Sequence, residues 1–448
     1  MTQRAKVSRR STLKLAAGAA ALPLVHIRTA GAAGKLALGF LDHWVPRGNE
    51  LMRAQVGQWG ERNKVDVTVD FITIIGNKIL ITAAAEEAAQ SGHDVIALPG
   101  WEVHNHGRRL EPVDDVIGRL EAKYGKLDDF YRYVARIDGH WMAVPTSVSN
   151  IYQAPCARID YFKQFCGIDL TQMYPAKPVH TALADEWNFD TFLKAAEQCA
   201  KAGKPFGIGL SSVQDCVDIT GSIAASFGVQ FVDAKGNVTI NSDNTRRMLE
   251  YMKKLVPFLP PNVYSFDNAT DNRMLIADQS ALIYNPPSAW AVAKRDAPHV
   301  AEQCWTFPTP VGPAGRFSPA DPFSWGVWSF SRNKTAAKEL IEYLMQREQV
   351  QERCNVVAGF DIPPFDSMLD FDVWEKVEPP AGTMYNYPLR PHHNAKRSFT
   401  GMPAPPQIAV QIYNQAVPPN MIAKVCQGGQ TPDQAIAWAE RELQSYIG

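Results

Sequence analysis

The sequence holds no C-x-x-C pair, which removes the usual zinc and thiol-redox arrangements. It has no G-x-S-x-G elbow, no glycine-rich phosphate loop and no H-E-x-x-H helix. The common hydrolase, nucleotide-binding and zinc-protease motifs are therefore absent. Beyond the first 32 residues no apolar run reaches the roughly 20 residues of a membrane helix. Internal repeats are missing. Positive charge is also scarce: residues 1–32 take six of the 45 Lys and Arg and none of the 46 Asp and Glu. The remainder carries 39 basic against 46 acidic residues, a net of −7. A nucleic-acid partner requires the opposite sign, and none is expected. The seven cysteines (156, 166, 199, 216, 304, 354 and 426) are widely spaced and odd in number, so at least one stays unpaired. A Cys156–Cys166 bridge and buried free thiols both remain open.

What is present begins at the N-terminus. Ser8-Arg9-Arg10-Ser11-Thr12-Leu13-Lys14 is a twin-arginine pattern, followed by the alanine-rich stretch Leu15 to Val25 and by Ala30-Gly31-Ala32 for cleavage. This predicts a signal peptide over 1–32, export by the twin-arginine route and a periplasmic location. The remaining length exceeds what one core usually holds, so two domains or lobes are expected.

Lys35 to Leu41 reads as a buried strand, and Leu51, Met52, Val56 and Trp59 as a helix face. Val65, Val67, Val69 and Phe71 alternate with polar residues, the mark of a half-buried strand. A helix with Leu80, Ala83, Ala84 and Ala88 and a strand Asp94 to Leu98 follow. Strand, helix, strand, helix, strand predicts a parallel α/β sheet, whose ligands bind outside the carboxyl ends of the strands. Later helices are expected over Phe189 to Ala200, with Gly203 as C-cap, over Asn244 to Val256, and after the cap Thr431-Pro432-Asp433-Gln434. Ala281 to Asn285 predicts a strand ending in a proline turn, Pro308 to Pro322 a loop, and Trp325 to Phe330 a strand.

Several stretches together are similar to a known family. Gly92-His93-Asp94-Val95-Ile96, Leu110-Glu111-Pro112-Val113-Asp114-Asp115, and Val144-Pro145 with Asn150-Ile151-Tyr152 are three of them. Asp185 to Phe192, Asn285-Pro286-Pro287-Ser288-Ala289-Trp290, Trp325-Gly326-Val327-Trp328 with Lys334, and the closing TPDQAIAWAERELQ complete the order. The chain resembles the extracellular solute-binding proteins of ABC importers, in the sugar-binding family with a maltose-binding-protein-like fold. The resemblance implies an α/β, two-lobed periplasmic binding protein fold of type II, with three hinge crossings and a cleft between lobes. It places lobe 1 at 33–146 and 305–348 and lobe 2 at 147–304 and 349–448. It implies a non-catalytic receptor without cofactor or metal, monomeric, that closes over a mono- or oligosaccharide or polyol and delivers it to a membrane permease.

A sugar asks for aromatic platforms and hydrogen-bonding groups. Asp42, His43 and Trp44 follow the first strand, Asn77 the second, and Trp101 and Glu102 the third. Ser149, Asn150 and Tyr152 lie on the first crossing, and Asp215 opens a helix, where N-capping is the competing role. Trp325 and Gly326 start a strand near the hinge. By the resemblance, Trp290 stands where the family places an aromatic platform, and Phe360 and Asp361 match a third crossing. His104-Asn105-His106-Gly107 reads as a cleft-edge loop, and His392-His393 as surface. Two alternatives remain. One is the same fold holding a polyamine, through convergent carboxylates, or ferric iron, through Tyr152 with Tyr385 or Tyr387. The other is a periplasmic enzyme carrying a cofactor.

Overall fold

The computed structural model describes residues 34–148, 153–175, 181–285, 287–376 and 395–447. The leader, Ser149, Asn150, Tyr152, Tyr385, Tyr387, His392 and His393 lie outside them.

The chain starts with β1 (Gly34–Leu41), which buries Leu36, Leu38 and Phe40 on alternate positions. The helix α1 (Arg47–Asn63) turns Met52, Gln55, Val56 and Trp59 inward and stops at Lys64, which takes a left-handed φ of 56°. β2 (Val65–Ile72) keeps Asp66, Thr68 and Asp70 exposed. α2 (Lys78–Ala89) leads to β3 (Val95–Pro99), buried along its whole length as a central strand is. A short helix, α3 (Glu102–His106), stands at the end of β3. β4 (Val144–Pro145) then closes this part of the chain.

β5 (Cys156–Arg158), β6 (Leu282–Ile283) and β7 (Cys304–Thr306) form a second sheet, with β5 antiparallel to both neighbours. Around it stand α4 (Phe189–Lys201), α5 (Gln214–Ser226), α6 (Asp243–Leu255), α7 (Thr270–Ile276) and α8 (Pro287–Asp296). β8 (Phe317–Pro319) precedes β9 (Phe323–Val327), which returns to the first sheet. That sheet has the order β2-β1-β3-β9-β4, with β1 and β3 parallel and β9 antiparallel to both its neighbours. α9 (Lys334–Leu344) and α10 (Arg347–Val356) follow. β10 (Lys396–Ser398) pairs in parallel with β8, and α11 (Pro406–Asn414), α12 (Val417–Cys426) and α13 (Pro432–Ser445) end the chain. The capping box of α13 forms as its sequence requires, Thr431 and Gln434 bonding each other's backbone N–H.

Some local expectations shift. The proline pair does not end in a turn: Pro287 opens α8, so Trp290 lies inside a helix. The strand expected over Trp325 to Phe330 runs from Phe323 to Val327; Trp328 N–H adds one bond to Asp94 O in the same register, and the chain turns at 329. The limit drawn at 304/305 falls inside β7, which belongs to the second sheet. Within 349–448, α10 packs on α1, Arg353 donating to Gln55 Oε1 at 2.8 Å. All seven cysteines are free, Cys166 Sγ standing 3.6 Å from Cys199 Sγ and not bridged to Cys156.

Gly326 is a packing residue. A Cβ there would stand 2.6 Å from Leu98 Cδ1 and 2.8 Å from Leu110 Cδ2. Gly326→Ala is therefore expected to lower stability by about 1–3 kcal/mol through overpacking. Urea unfolding checks this, and an unchanged midpoint would show that β9 and β3 have slack between them.

Candidate functional site

The carboxyl edge of the larger sheet is closed by a bond from Gly100 N–H, just past β3, to Pro322 O, just before β9, at 2.8 Å. Asp321 sits on that loop. Two other elements reach the same place. A Cβ on Gly100 would meet Gln214 Nε2 of α5 at 3.4 Å and Tyr413 Oη of α11 at 3.6 Å. α5 is buried almost all round and carries two acids, Asp218, which is buried, and Asp215, which is half-buried. They lie three residues apart on one side of the helix. α7 supplies Asp271 and Asn272, and the turn before it supplies Asn268.

Asp215, Asp218, Asp271 and Asp321 feel one another. Burial, and then Asp271 and Asp321, push Asp215 well above the usual carboxylate range. Burial, and then Asp321, do the same to Asp218, although Tyr413 Oη donates to its Oδ2 at 2.9 Å. Burial drives Asp271 and Asp321 each up to about 7. Asp215 and Asp321 are half-buried, whereas Asp218 and Asp271 are buried. One oxygen of each acid has no hydrogen-bond partner, nor do Gln153 Oε1, Asn268 Oδ1 and Asn272 Oδ1. The side chains of Gln153 and Asn285 oppose these rises in pKa, the first at Asp215 and the second at Asp271. Buried polar atoms are normally satisfied, so a group of unsatisfied acceptors marks a place built for something that donates.

The residues that follow β1 gather elsewhere. His43 Nδ1 lies 2.9 Å from Val45 N and 3.0 Å from Val45 O, and its Nε2 lies 2.9 Å from Asp361 Oδ1. The imidazole edge meets Phe360 at 5.5 Å. Arg353, buried and attracted to Asp361, balances that carboxylate. His43, Phe71, Thr146, Trp325, Arg353 and Asp361 line a narrow cavity of about 20 Å³. That holds a water and not a sugar ring. Trp44 is half-buried and packs, as does Ala291 of α8, against the small cluster of Val45, Val357 and Phe360. Asp42 is exposed and accepts from Asn49 Nδ2 at 2.7 Å, while Asn77 is exposed with φ 56° and makes no side-chain cap.

Three of the four expected platforms are committed to packing. Trp101 is 1 % exposed, stacks on Phe399 at 4.9 Å and donates its indole N–H to Thr400 O at 3.0 Å. Trp325 is 2 % exposed and stacks on Phe40 at 4.9 Å. Trp290 is 4 % exposed, with Lys294 Nζ 4.9 Å from its ring centre. Glu102 is buried, accepts from Asn105 at 2.7 Å and faces His106 Nε2 at 3.0 Å. The pair expected as a cleft-edge loop is helical. Burial opposes charge on His106, but hydrogen bonds to Glu102 and Glu87 outweigh it and raise its pKa, whereas burial lowers that of His104. Among the described residues no group of three or more His, Cys, Asp or Glu is arranged to hold a metal ion.

Residues 60–381 match the family described as bacterial extracellular solute-binding protein. The chain belongs to that family. Over 170 residues it is 26% identical to a probable ABC transporter-binding protein of Deinococcus radiodurans, a match covering 37% of this chain and 39% of that relative. Maltose-bound MalE3 of T. maritima shares the fold with a TM-score of 0.72 at 19% identity, over 92% of this chain and 99% of that one. An ABC transporter solute-binding protein of Thermotoga lettingae, bound to α-D-tagatose, gives 0.71 at 17% identity, over 93% and 100%. The GacH receptor of Streptomyces glaucescens, solved free and with acarbose, gives 0.69 at 18% identity, over 93% and 99%. The fold of this solute-binding protein is thus the two-lobed, maltose-binding-protein-like α/β type. The family is extracellular, and among the described residues no helix is long and apolar enough to cross a membrane.

Of the four acids, the sequence pattern singles out Asp215 alone. It does not single out Asp218, Asp271 and Asp321, nor Gln153, Asn268, Asn272 and Tyr413. A signal existed for Asp218: two acids on the helix QDCVDITGSIAAS, which has no other charge, cannot belong to a solvated face.

Proposed function

We propose that this protein is the receptor of an ABC importer, that it binds a carbohydrate in the recess between its two sheets, and that it passes the ligand unchanged to a membrane permease. The observation that carries this reading is the enclosed set of unsatisfied acceptor oxygens on Asp215, Asp218, Asp271, Asp321, Gln153, Asn268 and Asn272. Sugar hydroxyls supply the donors these atoms lack. The neighbours solved with maltose, tagatose and acarbose support the choice of ligand class. The protein acts as a monomer in the periplasm, delivered by the twin-arginine leader. One lobe is built on the five-stranded sheet and includes the segment around α10; the other is built on β5, β6 and β7.

The test is a thermal unfolding screen of the mature protein against mono- and oligosaccharides and polyols. A ligand that binds only the folded state at a hundred times its Kd adds roughly 2.7 kcal/mol. The expected result is a melting temperature raised by a subset of saccharides. No shift with any saccharide, alongside a shift with a metal ion, would remove the carbohydrate reading.

A further inference from the structure

We propose that the recess selects a carbohydrate carrying a basic amine over the same carbohydrate without one. The proposal rests on the carbohydrate reading above and adds the charge of the ligand.

The seven orphaned atoms are four carboxyl oxygens and three amide oxygens, and all seven are acceptors once the carboxyls are ionised. A neutral hydroxylated ring brings about as many acceptors as donors, and its own oxygens would meet carboxylates. An ammonium group brings three donors and no acceptor. The amide oxygens are an observation independent of the acids. Gln153, Asn268 and Asn272 are 3 %, 3 % and 7 % exposed, and an amide cannot become a donor at its oxygen by taking up a proton. The Gln153 side chain is close enough to Asp215 to oppose the rise of its pKa, which places its free oxygen beside that acid.

Charge points the same way. Asp215, Asp218, Asp271 and Asp321 come from three elements of the chain, and among the described residues none forms an ion pair. The groups that act on them are other acids, Asp267 included, and neutral Gln153, Asn285 and Tyr413. Elsewhere the same protein balances a buried carboxylate, giving Asp361 both His43 and Arg353. A recess left without its cation is completed by a ligand that brings one. The shared burial that raises these pKa values is relieved when an ammonium displaces the protons.

Isothermal titration of the mature protein at about pH 7 decides the matter. The probes are glucosamine oligomers of two and three units, their N-acetylated forms, cellobiose and spermidine. The expected result is at least tenfold tighter binding of a glucosamine oligomer than of its acetylated form. In a folded Asp271→Asn/Asp321→Asn variant, that preference should shrink toward one. If the neutral or acetylated sugar binds as tightly as the amine, the amine inference falls and the carbohydrate reading stands. If spermidine alone binds, the carbohydrate reading falls and takes this proposal with it. If the wild type binds no amine-bearing probe, the proposal is overturned.

Discussion

Trp101→Ala is expected to cost the fold about 3–5 kcal/mol, the range for deleting a fully buried tryptophan. The ring is 1 % exposed, lies on Phe399 at 4.9 Å and presents its edge to Tyr133 at 5.3 Å. Its N–H holds Thr400 O, 299 residues away along the chain. Thr400 in turn donates its hydroxyl to Val217 O of α5 at 2.8 Å. Removing the indole leaves a cavity, an unsatisfied carbonyl and a looser seat for the helix that carries Asp215 and Asp218. Trp101→Phe should recover more than half of the loss, because it restores packing but not the hydrogen bond. Urea midpoints of the three proteins give the comparison. A wild-type midpoint for Trp101→Ala would mean that the ring stands in the open, as a sugar platform.

The second large effect is on pH dependence. Burial pushes Asp271 and Asp321 up to about 7 from an ordinary value of 3.8. Each therefore binds its proton more tightly in the folded state. Their stabilisation is fully present below about pH 4 and is lost as pH rises to about 7. Within that window each group costs up to about 1.4 kcal/mol per pH unit. Other carboxylates act with the opposite sign: Asp278, held low by Tyr161 and Arg158 against burial, loses stability in acid. The double variant Asp271→Asn/Asp321→Asn isolates the first effect, since Asp278 is common to both proteins. Without ligand, the variant should exceed the wild type in stability at about pH 7 and lose most of that advantage at about pH 5. Equal stabilities at both values would mean that neither carboxyl is desolvated. The acids then persist at a cost to the empty protein, which makes sense only if they serve a ligand.

The parts of the fold with strong periodicity were legible. β1, α1, β2, α2 and β3 follow from the spacing of Leu36 to Leu98, and the cap of α13 from Thr431 and Gln434. Their stability is local or comes from one core face. The failures arise where distant segments decide. Trp101 and Trp325 stand beside strand ends, as cleft residues should, yet Phe399 and Phe40 cover them. Nothing near Trp101 in the sequence announces Thr400. Trp290 was placed after a turn because Pro286-Pro287 suggests one, but proline is equally suited to the first turn of a helix. The recess combines residues between Gln153 and Tyr413, contributed by separate helices and loops, and only the tertiary fold brings them together. His43, Phe360 and Asp361 do meet, buried, with His43 bonded to Asp361 and edge-on to Phe360.

The most direct measurement is a crystal structure of the mature protein with its tightest saccharide from the thermal screen. The account predicts ligand donors within hydrogen-bond distance of Asp215 Oδ2, Asp271 Oδ2 and Gln153 Oε1, and the lobes closed around them. A ligand seated instead beside Trp325 and Arg353, with the oxygens of the four aspartates still unpartnered, would contradict it.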